Sequence, residues 1–232
     1  MKRFDFLDLL FPPRCAHCAR YTAHSAYRAL CDNCLASIPL HRSLFCGACS
    51  ARLPDLKKVC HFDFPYVLAA ASSYGNEPVR DLIHALKFSF LRDAVNPIAD
   101  IMFAYAESLH LFVGQIVLVP IPLSAKRVRE RGYNQSNLIA ERLSLMTGTP
   151  LLSDVLLRTR DTLPQSSFSS FAEREENVRK CFRATLAPTY ASKTILLIDD
   201  VATSGRTLYE ASQALRHAGA RRIIGLVLAR AS

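Results

Sequence analysis

One stretch limits the fold more than any other part of this 232-residue chain: Ile195-Leu196-Leu197-Ile198-Asp199-Asp200-Val201-Ala202-Thr203-Ser204-Gly205-Arg206-Thr207. Its four leading apolar residues read as a buried strand that delivers two adjacent carboxylates to its carboxyl end, where open α/β sheets place ligands. Such a pair can accept hydrogen bonds from the vicinal hydroxyls of a sugar. The residues that follow, Ala202 to Thr207, are small or hydroxylated, so their backbone N–H groups can close around a phosphate at the start of the next helix. Gly205 permits close approach, and Thr203, Ser204 and Thr207 add hydroxyl donors. The plainer alternative, aspartates that only cap a helix, requires one acid and not the whole string. A response-regulator receiver begins its domain with its acid pair, whereas only 32 residues follow Asp200 here. A nucleoside-triphosphatase P-loop is excluded because no glycine-lysine signature is present.

The segments around this stretch alternate between strand and helix patterns. Val67 to Tyr74, Gln115 to Pro120, Leu151 to Leu157, Thr194 to Ile198 and Arg222 to Leu228 read as strands. Val79 to Phe88, Pro97 to Phe112, Asn134 to Met146 and Thr207 to Ala218 carry helical spacing, with Gly148 and Pro150 as stop signals for the third of these. This alternation predicts an α/β fold built on a mostly parallel sheet flanked by helices, over residues 66–232. Residues 158–183 are polar, serine-rich and charged, without a continuous apolar face until Val178, which predicts a long mobile loop, placed at 158–180, followed by a helix. A hydrophobic content of 50% supports a globular chain, and the formal charge of +9 favours an anionic partner. No apolar run approaches the ~20 residues that span a bilayer. The apolar residues from Phe4 to Phe11 read as a short amphipathic lead-in, and without a secretory signal the expected compartment is the cytoplasm.

Residues 1–65 differ in kind: they hold seven of the eight cysteines. Cys15, Cys18, Cys31 and Cys34 form C-x2-C-x12-C-x2-C, two hooks that can converge on the four tetrahedral positions around a structural Zn²⁺. Cys46 and Cys49 open a second hook whose partner is Cys60, leaving His61 or Asp63, and less directly His41, to complete a second zinc site. Cys181 reads as a packed thiol. Downstream, Val119 to Leu123 runs into Lys126-Arg127-Val128-Arg129-Glu130-Arg131-Gly132, read as a strand, a polar turn and a helix start. Arg127, Arg129, Arg131 and Gly132 are candidates to hold a pyrophosphate or a nucleic-acid backbone. A basic run of this kind is otherwise a solvated helix face.

The segment 195–207 resembles the phosphoribosyl-pyrophosphate motif of type I phosphoribosyltransferases. With Val119-Pro120-Ile121-Pro122-Leu123, Arg131-Gly132-Tyr133-Asn134-Gln135, Gln165, Arg174, Asn177-Val178 and the cysteine pairs, the chain resembles the ComF family over nearly its whole length. The resemblance implies a type I phosphoribosyltransferase-like domain preceded by a double zinc ribbon. It implies that Asp199 and Asp200 hold ribose hydroxyls, that Ala202, Thr203, Ser204, Gly205, Arg206 and Thr207 hold the 5′-phosphate, and that Arg158, Arg160, Gln165 and Arg174 belong to a flexible loop over the pyrophosphate. Asp63 stands where the family pattern carries the fourth cysteine of the second ribbon. The function implied first is handling of single-stranded DNA during natural transformation, with DNA-uptake proteins as partners and a retained phosphoribosyl pyrophosphate pocket. A second reading is an active phosphoribosyltransferase using Mg²⁺ with phosphoribosyl pyrophosphate, and a third is a sensor or scaffold without chemistry. The residues identify neither a catalytic side chain nor an acceptor.

Overall fold

The computed structural model describes residues 12–53, 60–159 and 181–231. The lead-in at residues 4–11 and the loop candidates Arg160, Gln165 and Arg174 lie outside them.

The apolar runs form a parallel core of four strands: β3 (Val67–Ser73), β4 (Ile116–Pro120), β7 (Thr194–Ala202) and β8 (Arg222–Arg230). In the cysteine-rich region lie α1 (Asp32–Ala36), β1 (Leu44–Cys46) and β2 (Arg52–Leu53). The sheet runs β2-β1-β3-β8-β7-β4, with β1 antiparallel to both β2 and β3, so the cysteine-rich region extends the main sheet. Strand β7 is central, paired in parallel with β4 on one side and β8 on the other. Burial on both faces explains why Ile195 to Ile198 shows no polar alternation: Leu196 and Ile198 join one core cluster, while Ile195 and Leu197 join the other. Pro120, which has no N–H to give a ladder, ends the edge strand β4.

Helices α2 (Glu77–Phe88), α3 (Val95–Ser108), α4 (Ala125–Arg131), α5 (Gln135–Thr147), α6 (Pro188–Ala191) and α7 (Arg206–His217) complete the described residues. Of these, α2, α3 and α5 pack on one face of the sheet and α7 on the other. Local chemistry sets their ends. Asn76 accepts from the Val79 N–H and Asn134 from the Ser136 N–H, and Gly148 takes the left-handed conformation that closes α5.

Three sequence expectations change. Residues 151–157 do not form one strand: Leu151 makes an isolated bridge to Leu118, and only β5 (Leu156–Arg158) pairs, with β6 (Phe182–Ala184), in a separate two-stranded sheet. Ser153 and Asp154 interrupt the run. The basic segment 125–131 is a helix rather than a turn, because Ser124 caps its first turn and Gly132 supplies the left-handed cap at its end. Strand β7 also continues to Ala202, so both acids lie inside the ladder, with Asp199 in register with Val227.

Candidate functional site

Because β3, β8, β7 and β4 are parallel, their carboxyl ends share one edge of the sheet, and the polar segments after β4 and β7 meet there. A cavity of about 530 Å³ opens at this edge, lined by Asp199, Asp200, Thr203 and Thr207 from the β7–α7 segment. Arg127 and Arg131 line it from α4, Gln135 and Ser136 from α5, and Arg158 from β5.

The two acids are nearly inaccessible and take different partners. Asp199 accepts from the Ser136 hydroxyl at 2.9 Å and from the Asp200 N–H at 2.9 Å. Asp200 pairs with Lys87, at the end of α2, with Nζ and Oδ2 2.5 Å apart. Burial, reinforced by the Asp200 charge, pushes the Asp199 carboxyl up to about 7, and Lys87 and the Ser136 hydrogen bond oppose this. Beside them, Arg131 donates to Gln135 Oε1 at 2.6 Å, and burial lowers its affinity for the proton. A buried acid pair, one lysine and three arginines around an open cleft form a site for a ligand with vicinal hydroxyls and anionic groups.

The turn after the acids is narrow. Gly205 has φ +69°, and a Cβ there would lie 2.6 Å from the Tyr66 hydroxyl, which donates to the Gly205 carbonyl at 3.3 Å. Thr203 and Thr207 face the main cavity, whereas Ser204, Gly205 and Arg206 line a second one of about 300 Å³ with Phe64 and Tyr209. Arg206 pairs with Glu210 at 3.2 Å.

The cysteines gather into two clusters. Ligand atoms of Cys15, Cys18, Cys31 and Cys34 lie within 4.8 Å of one another, as do those of Cys46, Cys49, Cys60 and His61. Tetrahedral zinc with Zn–S of about 2.3 Å holds sulfurs ~3.8 Å apart. The spacings of 3.6 Å between Cys18 and Cys31 and 3.5 Å between Cys49 and Cys60 match this. The donor sets therefore fit structural zinc. His61 enters the second cluster, with Nδ1 3.4 Å from Cys46 Sγ, and Asp63 stays outside it. His41 is engaged elsewhere, with Nδ1 3.0 Å from the Ala70 carbonyl. Cys181 is buried beside Phe182.

Residues 6–62 match the double zinc ribbon domain, and residues 128–232 match the phosphoribosyl transferase domain. The chain is 28% identical over 230 residues to Competence protein F of Haemophilus influenzae, covering 94% of this chain and 97% of that protein. It is 29% identical over 210 residues to the DNA utilization protein YhgH of Escherichia coli K12, covering 89% and 85%. Competence protein ComFC of Bacillus subtilis is 36% identical over 103 residues, or 44% of this chain and 39% of that one. The chain belongs to the ComF family.

In this ComF protein the structure brings together Asp199, Asp200, Thr203, Thr207, Arg127, Arg131 and Arg158. Arg127 and Arg131 stand four residues apart on one face of α4, and Arg129, half a turn away, does not line the cavity. Gly132 closes α4 at φ +76°. Sequence reasoning missed Lys87, Ser136 and Tyr66. Lys87 sits in the last turn of an amphipathic helix, where a cation reads as a complement to the helix dipole. No local pattern tied it to Asp200, which is 113 residues away (200 − 87). Among the described residues, no helix of the ComF chain is long and apolar enough to cross a membrane.

Proposed function

We propose that this protein is a cytoplasmic competence protein that binds phosphoribosyl pyrophosphate with Mg²⁺ in the cleft and handles single-stranded DNA along the basic surface beside it. One observation carries this reading: the acid pair, Thr203 and Thr207 of the turn that follows it, and the α4 residues Arg127 and Arg131 converge on a single cavity. The names of the relatives, Competence protein F and DNA utilization protein, support a competence-related role.

In this reading the acids accept from the ribose hydroxyls, and backbone N–H groups and hydroxyls of residues 202–207 hold the 5′-phosphate at the start of α7. Lys87 holds the Asp200 carboxylate in place through their ion pair. Arg127 and Arg131, with Arg158 from β5, meet the pyrophosphate, whose bound Mg²⁺ would supply further charge neutralisation. Residues 1–65 form a double zinc ribbon that braces the transferase-like domain, residues 66–232. Phosphoribosyl transfer is the second reading, supported by the match of residues 128–232 to the phosphoribosyl transferase domain.

Titration calorimetry with phosphoribosyl pyrophosphate and Mg²⁺ tests the pocket. Heat is expected for the parent and none for Asp199→Asn/Asp200→Asn, and no heat in the parent ends the reading. For DNA, fluorescence anisotropy with labelled oligodeoxythymidine is expected to show affinity that falls with salt and drops further on charge reversal of Arg127, Arg129 and Arg131. Binding that ignores both changes overturns the DNA arm.

A further inference from the structure

The two cysteine clusters meet solvent differently. In the first, Cys15, Cys31 and Cys34 are buried and Cys18 is exposed. In the second, Cys46 is buried, while Cys49, Cys60 and His61 are exposed. A cavity of about 470 Å³ opens onto Cys60 and His61, walled by Phe62, Phe64 and Tyr209.

The exposed sulfurs of the second cluster are neighbours. Cys49 Sγ and Cys60 Sγ stand 3.5 Å apart, while Cys46 Sγ faces His61 Nδ1 at 3.4 Å. Zinc ligation keeps cysteine sulfurs as thiolates, the form that reacts with peroxides. A disulfide bond of ~2.05 Å requires Cys49 and Cys60 to approach by only about 1.5 Å, and exposed side chains have room to do so. In the first cluster the exposed Cys18 also has a neighbour, Cys31 at 3.6 Å, but that sulfur is buried. Cys31 packs with Cys15 and Cys34 in the hydrophobic core, where burial slows both attack and rearrangement.

We propose that Cys49 and Cys60 form an oxidation site: hydrogen peroxide converts them to a disulfide and releases the second zinc. One thiolate attacks the peroxide, the O–O bond breaks, and a sulfenic acid and hydroxide result. The other thiolate attacks that sulfur, the S–S bond forms, and a second hydroxide leaves. Two electrons thus pass from the sulfurs to the peroxide, and the metal departs unchanged as Zn²⁺. Cys46 and His61 remain, which is half the donor set that a structural site requires.

The consequence reaches the cleft. Gly47, next to Cys46, packs against the Phe64 ring and the Tyr66 carbonyl, and the Tyr66 hydroxyl donates to the Gly205 carbonyl in the β7–α7 turn. Release of the zinc frees the hook from Cys46 to Cys49 and this chain of contacts with it, so oxidation loosens residues 203–207. The chemistry is independent of what fills the cleft.

The test treats the full zinc-loaded chain with hydrogen peroxide and follows zinc with a metal-binding dye and disulfides by peptide mass mapping. One ion per chain is expected to leave at least ~tenfold faster than the other, in step with a disulfide joining Cys49 to Cys60. Dithiothreitol with added zinc should reverse both changes. Cys60→His keeps four donors and removes the second thiolate, so zinc release should slow at least ~tenfold and oxidised Cys49 should be trapped as a dimedone adduct. Amide hydrogen exchange at residues 203–207 should rise in the oxidised parent and stay level in peroxide-treated Cys60→His. Cys49→His supplies the same readouts should Cys60→His fail to hold its zinc. Equal loss of both ions, a disulfide formed elsewhere, or release at the parent rate in the histidine variant overturns the oxidation site. Zinc release without a change in exchange at 203–207 overturns its link to the turn.

Discussion

Asp199 and Asp200 are two buried carboxylates with one ammonium, that of Lys87, close by. Burial and the neighbouring carboxylate raise the Asp199 affinity for the proton, so between pH ~4 and about 7 the folded protein holds a proton that the unfolded chain has released. Stability tied to this group is therefore present at low pH and lost as pH rises through that window. Asp199→Asn keeps an oxygen to accept from Ser136 and removes the charge. Its advantage over the parent in thermal unfolding should widen from pH 5.5 to 8 and reach at least ~1 kcal/mol. Parallel pH profiles for the two proteins would assign the effect elsewhere. The acid pair itself was legible in the sequence because it follows an apolar run directly. Its ammonium was not, since a lysine on a helix surface has many equivalent readings and only tertiary packing aims this one inward.

The β7–α7 turn shows the same division at the level of elements. A glycine ahead of a helix start announces close approach, and the structure identifies what approaches: Tyr66, from 139 residues upstream. Gly205→Ala meets both an unfavourable φ, costing ~1–2 kcal/mol, and the Tyr66 oxygen. Removing that oxygen in Tyr66→Phe should make Gly205→Ala less costly by more than ~0.5 kcal/mol in a urea-denaturation double-mutant cycle. Simple additivity would mean that the tyrosine does not limit the turn. Helix α4 and the broken strand at 151–157 were misread for a related reason. Short elements depend on capping and pairing partners more than on their own periodicity, and here Ser124, Gly132 and β6 decide them.

Across the whole molecule, each cysteine cluster leans on a part of the cleft. In the first, His17 Nδ1 sits 2.8 Å from Asp81 on α2, the helix that ends in Lys87 and Phe88. In the second, the hairpin β1–β2 joins the central sheet, and Gly47 packs so closely on Phe64 and the Tyr66 carbonyl that a Cβ would fall 2.6 Å and 2.7 Å from them. Phe64 in turn meets Tyr209 on α7, with centroids 5.3 Å apart. Zinc analysis by atomic emission should find two ions per parent chain and one in Cys60→Ser. Amide hydrogen exchange in that variant should rise in β3 and in residues 203–207, beyond the second cluster itself. Exchange that changes only around residues 46–61 would show that the cluster is mechanically isolated. The sequence by itself determined the parallel sheet, the place of the acid pair and the first cysteine set, because each rests on periodicity or short spacing along the chain. Only the tertiary structure decided that Lys87 faces Asp200 and that His61 and not Asp63 joins the second cluster. These are contacts across sheet edges and helix ends, where sequence separation carries no information about distance.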